Sequence, residues 1–368
     1  MKVLILTTVM APYRIDLFNE LGKNIPLTVC FEQLKDKTRN NDWYKNNFKN
    51  FKPIILKNSN KSLKKIKWDF IKELNKKYDV VIFYEYSTIT SIISIFKCQL
   101  RGIKYLINCD GAIIEKKSIK DIIKKICISK ADGLLANGNS AKNYFLTYGA
   151  KEKNIFLHKF SSNYKNEILT EPIDYKKKIV LRKKLDLDFK RLYICVGKFT
   201  YRKGFDLLLN ALIDTSSNDV GYVLIGGGEN KNEYVEFVKK NKLQNVKILD
   251  FMSKEELLKY YDASDAFIFP TRYDIWGLVV NEAMSRGLPV ISTNKCMAAV
   301  ELVNKKNGII IESDSVSSLK LAILKFNKFN NEKLYEMGCN SIKEIKDYNI
   351  ENLSEEHVNV IKKVIRRV

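Results

Sequence analysis

Histidine is scarce in this chain, and cysteine never occurs at the spacing of a metal site. Only two of the 368 residues are histidine, His158 and His357. The seven cysteines, at positions 30, 98, 109, 127, 195, 296 and 339, form no Cys-x-x-Cys pair and no Cys/His ligand set. A resident metal is therefore not expected. Because their number is odd and most lie in apolar segments, the cysteines are predicted to be reduced core residues.

Long apolar runs are also missing. No stretch of about 18 apolar residues, the length that predicts a membrane-spanning helix, occurs in the sequence. The apolar opening, Met1 to Thr8, is too short for a signal peptide and has the pattern of a strand. We therefore expect a cytoplasmic protein, or one that lies peripherally on the cytoplasmic face of a membrane.

Negative charge is in deficit, since 64 Lys and Arg residues outnumber 42 Asp and Glu residues and leave a net charge of +22. So large an excess predicts an anionic partner, although a lysine-rich genome composition would also contribute to it. Nucleic acid is not favoured as that partner, because no recognition motif or aromatic stacking platform accompanies the basic residues.

The segment from Glu115 to Ile126 favours an anionic membrane surface as the partner. Its isoleucines recur at i, i+3, i+4 and i+7, and its lysines cluster on the remaining face. A basic amphipathic helix of this kind can lie on anionic lipid. The competing interpretation is an ordinary α/β helix whose isoleucines cover the sheet.

Strand-like and helix-like segments alternate along the chain, which predicts parallel α/β structure. The length exceeds what one core usually holds, so two domains are expected. Periodicity fades between Lys159 and Leu185, which indicates a linker followed by a charged helix. In the first half, the predicted elements occupy residues 2–7, 13–21, 27–31, 62–74, 79–83, 88–100 and 104–107.

The stretch from Asp274 to Glu282 carries the most specific pattern. A buried strand is predicted at residues 266–269 and a helix from near Gly277. Asp274 is then expected beyond the carboxyl end of the strand, and Glu282 in the first helical turn. The free N–H groups of the helix end can hold a phosphate between these two acids. Simple helix capping and dipole compensation is the competing interpretation. The N–H groups concerned belong to Leu278 and Val279.

A second strand-loop-helix carries cations instead of carboxylates. The strand at residues 192–196 leads into a loop with Lys198, Arg202 and Lys203, and a helix-like segment follows Gly204. A diphosphate gains negative charge as it leaves a sugar, and preorganised Arg and Lys donors stabilise that transition state. The loop is therefore a candidate diphosphate site.

The pattern Asp-x-Trp-Gly-x4-Glu-Ala-Met resembles the Glu-x7-Glu signature of family 4 retaining glycosyltransferases, which have the GT-B architecture. The first acid departs from the signature, because Asp274 is one methylene shorter than Glu. The resemblance implies that Asp274 binds hydroxyls of the donor sugar and that Glu282 binds the ribose hydroxyls. It also places Trp276 and Gly277 in the donor site.

The cation loop is similar to the pattern Gly-Arg-x4-Lys-Gly of the same family. Gly197 and Lys203 match, whereas Lys198 stands in the position of the arginine. Arg202 can take over its bidentate role, and Lys198 can equally be an ordinary surface lysine. By the same resemblance, the segment with Phe251 and Met252 meets the nucleobase. The glycine turn Gly226 to Gly228 is interpreted as a tight connection, not a phosphate cradle.

The first half departs further from the family. Many relatives have a His-Asp where this chain has Cys109-Asp110, which leaves Asp110 as the candidate acceptor-side carboxylate. An ordinary turn aspartate is the alternative. Pro12-Tyr13-Arg14 is similar to the Pro-Tyr-Arg opening of polysaccharide-building branches, so Arg14 can face an acceptor cleft. The alternative is a proline at a helix start followed by a surface arginine.

The resemblance implies an α/β GT-B fold, with two Rossmann-like doubly wound parallel-sheet domains that face a central cleft. Residues 1–165 would bind the acceptor, residues 166–350 the nucleotide sugar, and a helix at residues 351–368 would cross back to the first domain. No cofactor is expected beyond the co-substrate.

The expected activity is metal-independent, retaining transfer of a hexose-type sugar from a UDP- or GDP-sugar. The acceptor would be a glycan or lipid-linked oligosaccharide of a capsule, lipopolysaccharide or exopolysaccharide. Two alternatives stay open: a sugar-nucleotide epimerase of the same fold, and a non-catalytic basic scaffold.

Overall fold

The computed structural model describes residues 1–33, 47–57, 65–111, 120–215 and 219–367, and its internal contacts divide it into two compact units. Unit 1 comprises Met1–Ser162 together with Tyr348–Val368. Unit 2 comprises Asn163–Asp347. The chain therefore leaves unit 1 once and returns to it for its last helix.

Unit 1 is built on a seven-stranded parallel sheet in the order β3-β2-β1-β4-β5-β6-β7. The strand order reverses beside β1, which is the place where ligands of doubly wound sheets bind. The strands are β1 (Val3–Thr7), β2 (Leu27–Phe31), β3 (Lys52–Ile55), β4 (Val80–Phe83), β5 (Tyr105–Cys109), β6 (Gly133–Ala136) and β7 (Ile155–Leu157).

Helices cover both faces of this sheet. The last helix packs against α1, and its buried stripe includes Leu353, Val358 and Ile361. The helices of unit 1 are α1 (Pro12–Gly22), α2 (Trp68–Glu73), α3 (Ile89–Arg101), α4 (Lys120–Ser129), α5 (Asn139–Thr147) and, after unit 2, α14 (Ile350–Arg366).

Unit 2 has a six-stranded parallel sheet in the order β10-β9-β8-β11-β12-β13. Its order reverses between β8 and β11, so the loops after these two strands meet at one edge. The strands are β8 (Arg191–Val196), β9 (Val220–Ile225), β10 (Val246–Leu249), β11 (Ala266–Phe269), β12 (Val290–Thr293) and β13 (Gly308–Ile311).

The helices of unit 2 complete the alternation. They are α6 (Tyr175–Lys184), α7 (Phe205–Ile213), α8 (Lys231–Lys240), α9 (Lys254–Ala263), α10 (Leu278–Ser285), α11 (Met297–Leu302), α12 (Val316–Asn327) and α13 (Asn331–Ile345). The central strands β8 and β11 are almost wholly buried, which explains their nearly continuous apolar sequences. The prediction of two parallel-sheet α/β halves is confirmed.

Two edge strands, β3 and β7, escaped the sequence prediction. Both are short, and neither is buried like the central strands. β3 also contains Pro53, which is tolerated at an edge and argues against a central strand. The periodicity that reveals buried strands is weak in such segments.

The two predicted basic helices lie only partly within the described residues. Residues 62–64 and 115–119 are outside them, and the observed helices begin at Trp68 and Lys120. In α4 the core is contacted by Cys127 and Ile128, whereas Ile122 and Ile123 are exposed. The interpretation that the isoleucines cover the sheet is therefore wrong for these two residues.

Candidate active site

The cation loop of unit 2 leaves β8 and forms one short 3-10 turn, Tyr201–Lys203, before α7. Gly204 then adopts a left-handed conformation with φ of 70°. A Cβ atom at Gly204 would lie 2.1 Å from the carbonyl oxygen of Pro270. Glycine at this position therefore permits the close approach of the loops that follow β8 and β11.

Hydrogen bonds to one carbonyl tie these two loops together. The backbone N–H of Arg272 donates to the carbonyl oxygen of Arg202 over 2.8 Å, and the hydroxyl of Thr271 donates to the same oxygen over 3.0 Å. The side chains of the cation loop are thus held in register with the loop that carries Asp274.

The predicted catalytic residues of unit 2 meet at this junction. Lys203 Nζ donates a hydrogen bond to Asp274 Oδ2, and Arg202 Nη1 lies 3.7 Å from Asp274 Oδ1. The side chains of Lys203 and Asp274 are 13% and 10% exposed, while that of Arg202 is 39% exposed. One carboxylate is therefore held by two cations, of which the arginine remains open to solvent.

Arg272 is the residue that the sequence analysis missed. Its guanidinium makes two hydrogen bonds to Asp206, of 2.9 and 2.7 Å, and one of 2.7 Å to Asp314. It also donates to the carbonyl oxygen of Tyr201 over 2.6 Å, and its Cζ atom lies 3.6 Å from the centre of the Tyr201 ring. The hydrogen bonds with Asp206 raise the pKa of Arg272 above its ordinary value, against the opposing effect of burial. Arg272 thus connects the cation loop to Asp206 and Asp314 and holds the loop in place.

The helix α10 begins where the sequence predicted, after Gly277 with φ of 105°. Glu282 accepts a hydrogen bond from the Tyr261 hydroxyl over 3.3 Å. The first turn of α10 contains no acidic residue, so the prediction that Glu282 lies in that turn is wrong. Glu282 is the fifth residue of α10, which begins at Leu278, so its carboxylate stands in the second turn.

The resemblance places Trp276 in the donor site, and the structure places it just before the start of α10. Its side chain is buried, and the indole N–H donates to Asn281 Oδ1 over 3.0 Å. This hydrogen bond ties the ring to α10.

A third loop, after β9, completes this edge of the sheet. A Cβ atom at Gly226 would lie 1.9 Å from the carbonyl oxygen of Gly197, and Phe199 N donates to the Gly227 carbonyl oxygen over 2.8 Å. Glycine is needed in this turn because the turn packs closely against the cation loop. Phe251 lies exposed against this turn. Within the described residues Lys198 takes part in none of the ion pairs, and it is only partly buried.

In unit 1 the structure brings together two candidates that are far apart in sequence. Arg14 Nη2 donates to Asp110 Oδ2 over 2.7 Å, and Nη1 donates to Thr7 Oγ1 over 2.6 Å. Asn108 Nδ2 donates to Asp110 Oδ1 over 2.6 Å. Arg14 is buried, so the alternative of a surface arginine is wrong.

The surroundings of Arg14 keep it charged. Burial by itself lowers the pKa of Arg14, but Tyr13, Asp110 and Glu85 act in the opposite direction and raise it above its ordinary value. Tyr13 packs edge-on against Phe160 with ring centres 5.7 Å apart. Pro12 opens α1, as expected of a proline at a helix start.

Both histidines of the chain are buried in unit 1. His357 Nε2 lies 3.1 Å from the Tyr84 hydroxyl, and Nδ1 lies 2.8 Å from the Leu353 carbonyl oxygen. His158 lies beside it, with ring centres 5.0 Å apart. Burial lowers the pKa of His357 to about 4, and burial together with His357 lowers that of His158 well below its usual value.

Two further observations concern the described residues as a whole. Among the helices given above, none combines the length and the apolarity that crossing a bilayer requires. In the same ranges, no group of three or more His, Cys, Asp or Glu side chains is placed to hold a metal ion.

Comparison with known proteins identifies the second unit. Residues 177–343 match the model of the family described as glycosyl transferases group 1. This part of the chain is similar to that family. The match contains the cation loop, Asp274 and the start of α10.

Curated relatives agree with this assignment. The chain is 28% identical over 233 residues to an uncharacterized glycosyltransferase of Methanocaldococcus jannaschii, covering 61% of this chain and 63% of the relative. It is 30% identical over 164 residues to the O-antigen biosynthesis glycosyltransferase WclY of Escherichia coli, covering 44% and 43%. The amylovoran biosynthesis glycosyltransferase AmsD of Erwinia amylovora is 26% identical, with 57% of each chain covered. The matches thus span about half of each relative.

Solved structures show the fold. HepE of Anabaena, in complex with UDP, superposes with a TM-score of 0.79 over 99% of this chain and 100% of its own, at 15% identity. Sucrose-phosphate synthase from Thermosynechococcus elongatus gives a TM-score of 0.78 over 100% of each chain, at 16% identity. The two Rossmann-like units are therefore those of the GT-B fold.

Proposed function

We propose that the protein is a retaining, metal-independent glycosyltransferase that uses a nucleotide diphosphate sugar. The observation that carries the proposal is the junction of unit 2, where Arg202 and Lys203 meet Asp274 next to the start of α10. Cations and helix N–H groups suit a diphosphate, and a carboxylate at the same place suits a sugar hydroxyl. The family of residues 177–343 supports the same reading.

Each candidate residue then has a role. Arg202, Lys203 and the N–H groups of α10 hold the diphosphate, and Asp274 exchanges part of its contact with Lys203 for hydroxyls of the donor sugar. Glu282 binds the ribose. The remaining donor contacts are assigned to Gly197, Lys198, Phe251, Met252, Gly277, Leu278 and Val279.

The reaction breaks the bond between the anomeric carbon and the diphosphate oxygen and forms a bond from that carbon to the acceptor oxygen on the same face. The acceptor's proton passes to the leaving phosphate oxygen, so charge balances without another reactant. Arg202 and Lys203 act on the diphosphate charge that grows in the transition state, where such donors have their largest effect.

We assign the acceptor to unit 1. Asp110 lies at the carboxyl end of β5, near the reversal of strand order, and Arg14 and Asn108 fix its carboxylate. A carboxylate held in this way can accept a hydrogen bond from an acceptor hydroxyl. Pro12 and Tyr13 place Arg14 at the start of α1.

The relatives support the substrate classes in this proposal. HepE was solved with UDP and with UDP-glucose, and the names of WclY and AmsD refer to O-antigen and amylovoran biosynthesis. The proposed donor is therefore a UDP- or GDP-hexose. The proposed acceptor is a glycan or lipid-linked oligosaccharide of a surface polysaccharide, reached from the cytoplasmic side of the membrane.

Calorimetric titration with UDP and with GDP tests the donor site, followed by incubation of the corresponding UDP- and GDP-hexoses with glycan acceptors. Binding of one diphosphate and acceptor-dependent release of it support the transferase. Epimerisation or hydrolysis of the sugar nucleotide at the same rate without acceptor would favour the epimerase alternative. No binding of either diphosphate would favour the scaffold.

A further inference from the structure

One side of unit 1 exposes large apolar side chains from three neighbouring helices. We call these five residues the outer apolar face: Trp68 on α2, Ile89 and Leu100 on α3, and Ile122 and Ile123 on α4. Their exposed fractions are 61%, 40%, 88%, 61% and 39% in that order. Single exposed apolar residues need no explanation, but a group from adjacent helices does.

The three helices lie side by side, so their outward residues belong to one surface. The backbone N–H of Lys67, just before α2, donates to Thr90 Oγ1 at the start of α3 over 3.0 Å. Gln99 Nε2, near the end of α3, donates to the Ile126 carbonyl oxygen of α4 over 3.3 Å. On α3 itself, Ile89 and Leu100 are eleven positions apart, which is three helical turns, so they share a face.

The opposite side of the sheet is occupied differently. The chain moves from β1 to β2 in one direction along the sheet and from β4 to β5 to β6 in the other, so right-handed crossovers put α1 on the face opposite α3 and α4. On that opposite face α14 packs against α1. The described residues place no comparable covering helix over α3.

Positive charge accompanies the outer apolar face. Lys72, Arg101 and Lys125 are exposed on α2, α3 and α4 respectively. Lys72 and Lys125 follow Trp68 and Ile122 by four and three positions, so each lies on the same side of its helix as an apolar residue.

Two of the three acidic side chains on these helices are paired with lysines. The sequence of α3 contains no acidic residue. Glu73 accepts hydrogen bonds from Lys76 and Tyr78, and Asp121 accepts one from Tyr148 and pairs with Lys124. Asp69 accepts a hydrogen bond from the backbone N–H of Lys57. The surface therefore combines apolar side chains with an excess of cations over unpaired carboxylates.

We propose that the outer apolar face docks unit 1 on an anionic lipid bilayer. Tryptophan and isoleucine side chains enter the interfacial region, while the lysines and arginine meet lipid phosphates. Docking would give the proposed transferase access to a lipid-linked acceptor. Only this explanation of why the protein docks rests on the proposed function. Nucleic acid would use the cations but gain nothing from Leu100 and Ile122.

Co-sedimentation of the full-length protein with vesicles tests this surface. The vesicles contain phosphatidylcholine alone, or phosphatidylcholine with about one-third phosphatidylglycerol. We expect binding to the anionic vesicles, weakened by salt because exposed cations are screened. The double variant Leu100→Ser/Ile122→Ser should bind at least about ten-fold more weakly, since each large side chain contributes apolar burial.

A matched control uses Leu321 and Leu324 of α12 in unit 2, which are 68% and 37% exposed. The variant Leu321→Ser/Leu324→Ser should bind vesicles like the parent protein. A charge variant, Arg101→Glu/Lys125→Glu, should lose binding to anionic vesicles at least about twenty-five-fold, because each cation near such a surface adds roughly five-fold.

Calorimetric UDP binding and thermal unfolding are measured on every variant, so that loss of the fold or of the donor site is recognised separately. Vesicle binding without UDP binding would overturn the proposed function and leave the docking surface in place. Equal vesicle binding by the parent and by Leu100→Ser/Ile122→Ser, or equal losses in the α12 control, would overturn the docking surface. A preference for neutral vesicles would do so as well.

Discussion

Both units pair an aspartate beyond a strand with cations, yet the two pairs differ in what surrounds them. In unit 1 both terminal nitrogens of Arg14 are engaged, by Asp110 and Thr7, and the guanidinium is buried against Tyr84 at 5.3 Å from the ring centre. In unit 2, Arg202 makes a 3.1 Å hydrogen bond to the Tyr273 carbonyl oxygen and stays partly exposed.

The difference indicates that Arg14 fixes the geometry of unit 1, whereas Arg202 is accessible to a ligand in unit 2. A buried guanidinium whose two terminal nitrogens are bonded within the protein fixes the orientation of its carboxylate and cannot easily be released, because an unpaired buried charge is costly. A partly exposed cation on a braced loop loses little when it changes partner. In the proposed function, the same arrangement at the carboxyl edge of a parallel sheet would serve positioning in unit 1 and diphosphate binding in unit 2.

The strongest test of this contrast removes both cations that contact Asp274 in unit 2. We expect Arg202→Ala/Lys203→Ala to lower kcat/KM about a thousand-fold, since two charge-assisted contacts to a diphosphate are worth roughly 1.5–3 kcal/mol each. The measurement is the rate of sugar transfer from the best donor, together with calorimetric UDP affinity.

Lys183→Ala/Lys184→Ala is the matched control, because these two consecutive cations are exposed at the end of α6, outside the junction. It should keep parent activity. If both double variants lost activity equally, general charge and not the junction would be responsible.

The next largest effect should come from the buried pair of unit 1, Arg14 and Asp110. We expect Arg14→Ala to lower the free energy of unfolding by about 3 kcal/mol or more, because it leaves Asp110 without its buried partner. Urea denaturation measures this loss. UDP affinity at about room temperature should not change, since the proposed donor site lies in unit 2.

Arg14→Lys sharpens the result. An ammonium can keep the charge but cannot donate to Thr7 and Asp110 through two nitrogens in one plane. Intermediate stability is expected. A variant Arg14→Ala as stable as the parent would contradict the view that this pair fixes the structure of the site.

Arg272 allows a finer test within unit 2, because it positions the loop with Arg202 and Lys203 but is not one of the two cations that contact Asp274. We expect Arg272→Gln to weaken UDP binding about ten-fold, since the loop with Arg202 and Lys203 loses its brace to Asp206 and Asp314. Arg272→Lys should recover part of the affinity.

Arg286 offers a control of the same chemistry. It is similarly buried and makes two hydrogen bonds, of 2.7 and 2.9 Å, to Asp262 on α9. Arg286→Gln should lower stability comparably and leave UDP affinity near that of the parent. Parallel losses of affinity in the two variants would mean that Arg272 acts only through overall stability.

The comparison also shows what local sequence patterns could predict. The central strands were recognisable because parallel strands that are covered on both faces are continuously apolar. The junction of unit 2 was partly recognisable, because Lys203 and Asp274 each follow a predicted strand, and neighbouring strands bring such loops to one edge.

The contacts that decide the roles were not predictable in this way. Arg14 and Asp110 are separated by 96 positions, and Arg272 contacts Asp206 across 66. No periodicity records which of many charged side chains will face each other over such separations. The hydrogen bond from Trp276 to Asn281 is likewise recorded by no local pattern.

A further prediction distinguishes the two units by pH. Both histidines lie in unit 1, where burial lowers the pKa of His357 to about 4 from an ordinary value of 6.5 and lowers that of His158 well below its own. Between pH 6.5 and about 4, the histidines are protonated in the unfolded chain but stay neutral in the folded unit 1. The free energy of unfolding therefore falls as the pH falls below 6.5, and the decline due to His357 ends below about 4.

Urea denaturation at pH 7 and at pH 5 measures this dependence. The free energy of unfolding should fall by roughly 1 kcal/mol per pH unit for each histidine in this window. His357→Gln should flatten the slope whatever its own stability, because it removes one titrating group. An unchanged slope would mean that burial does not keep the His357 imidazole neutral in the folded protein.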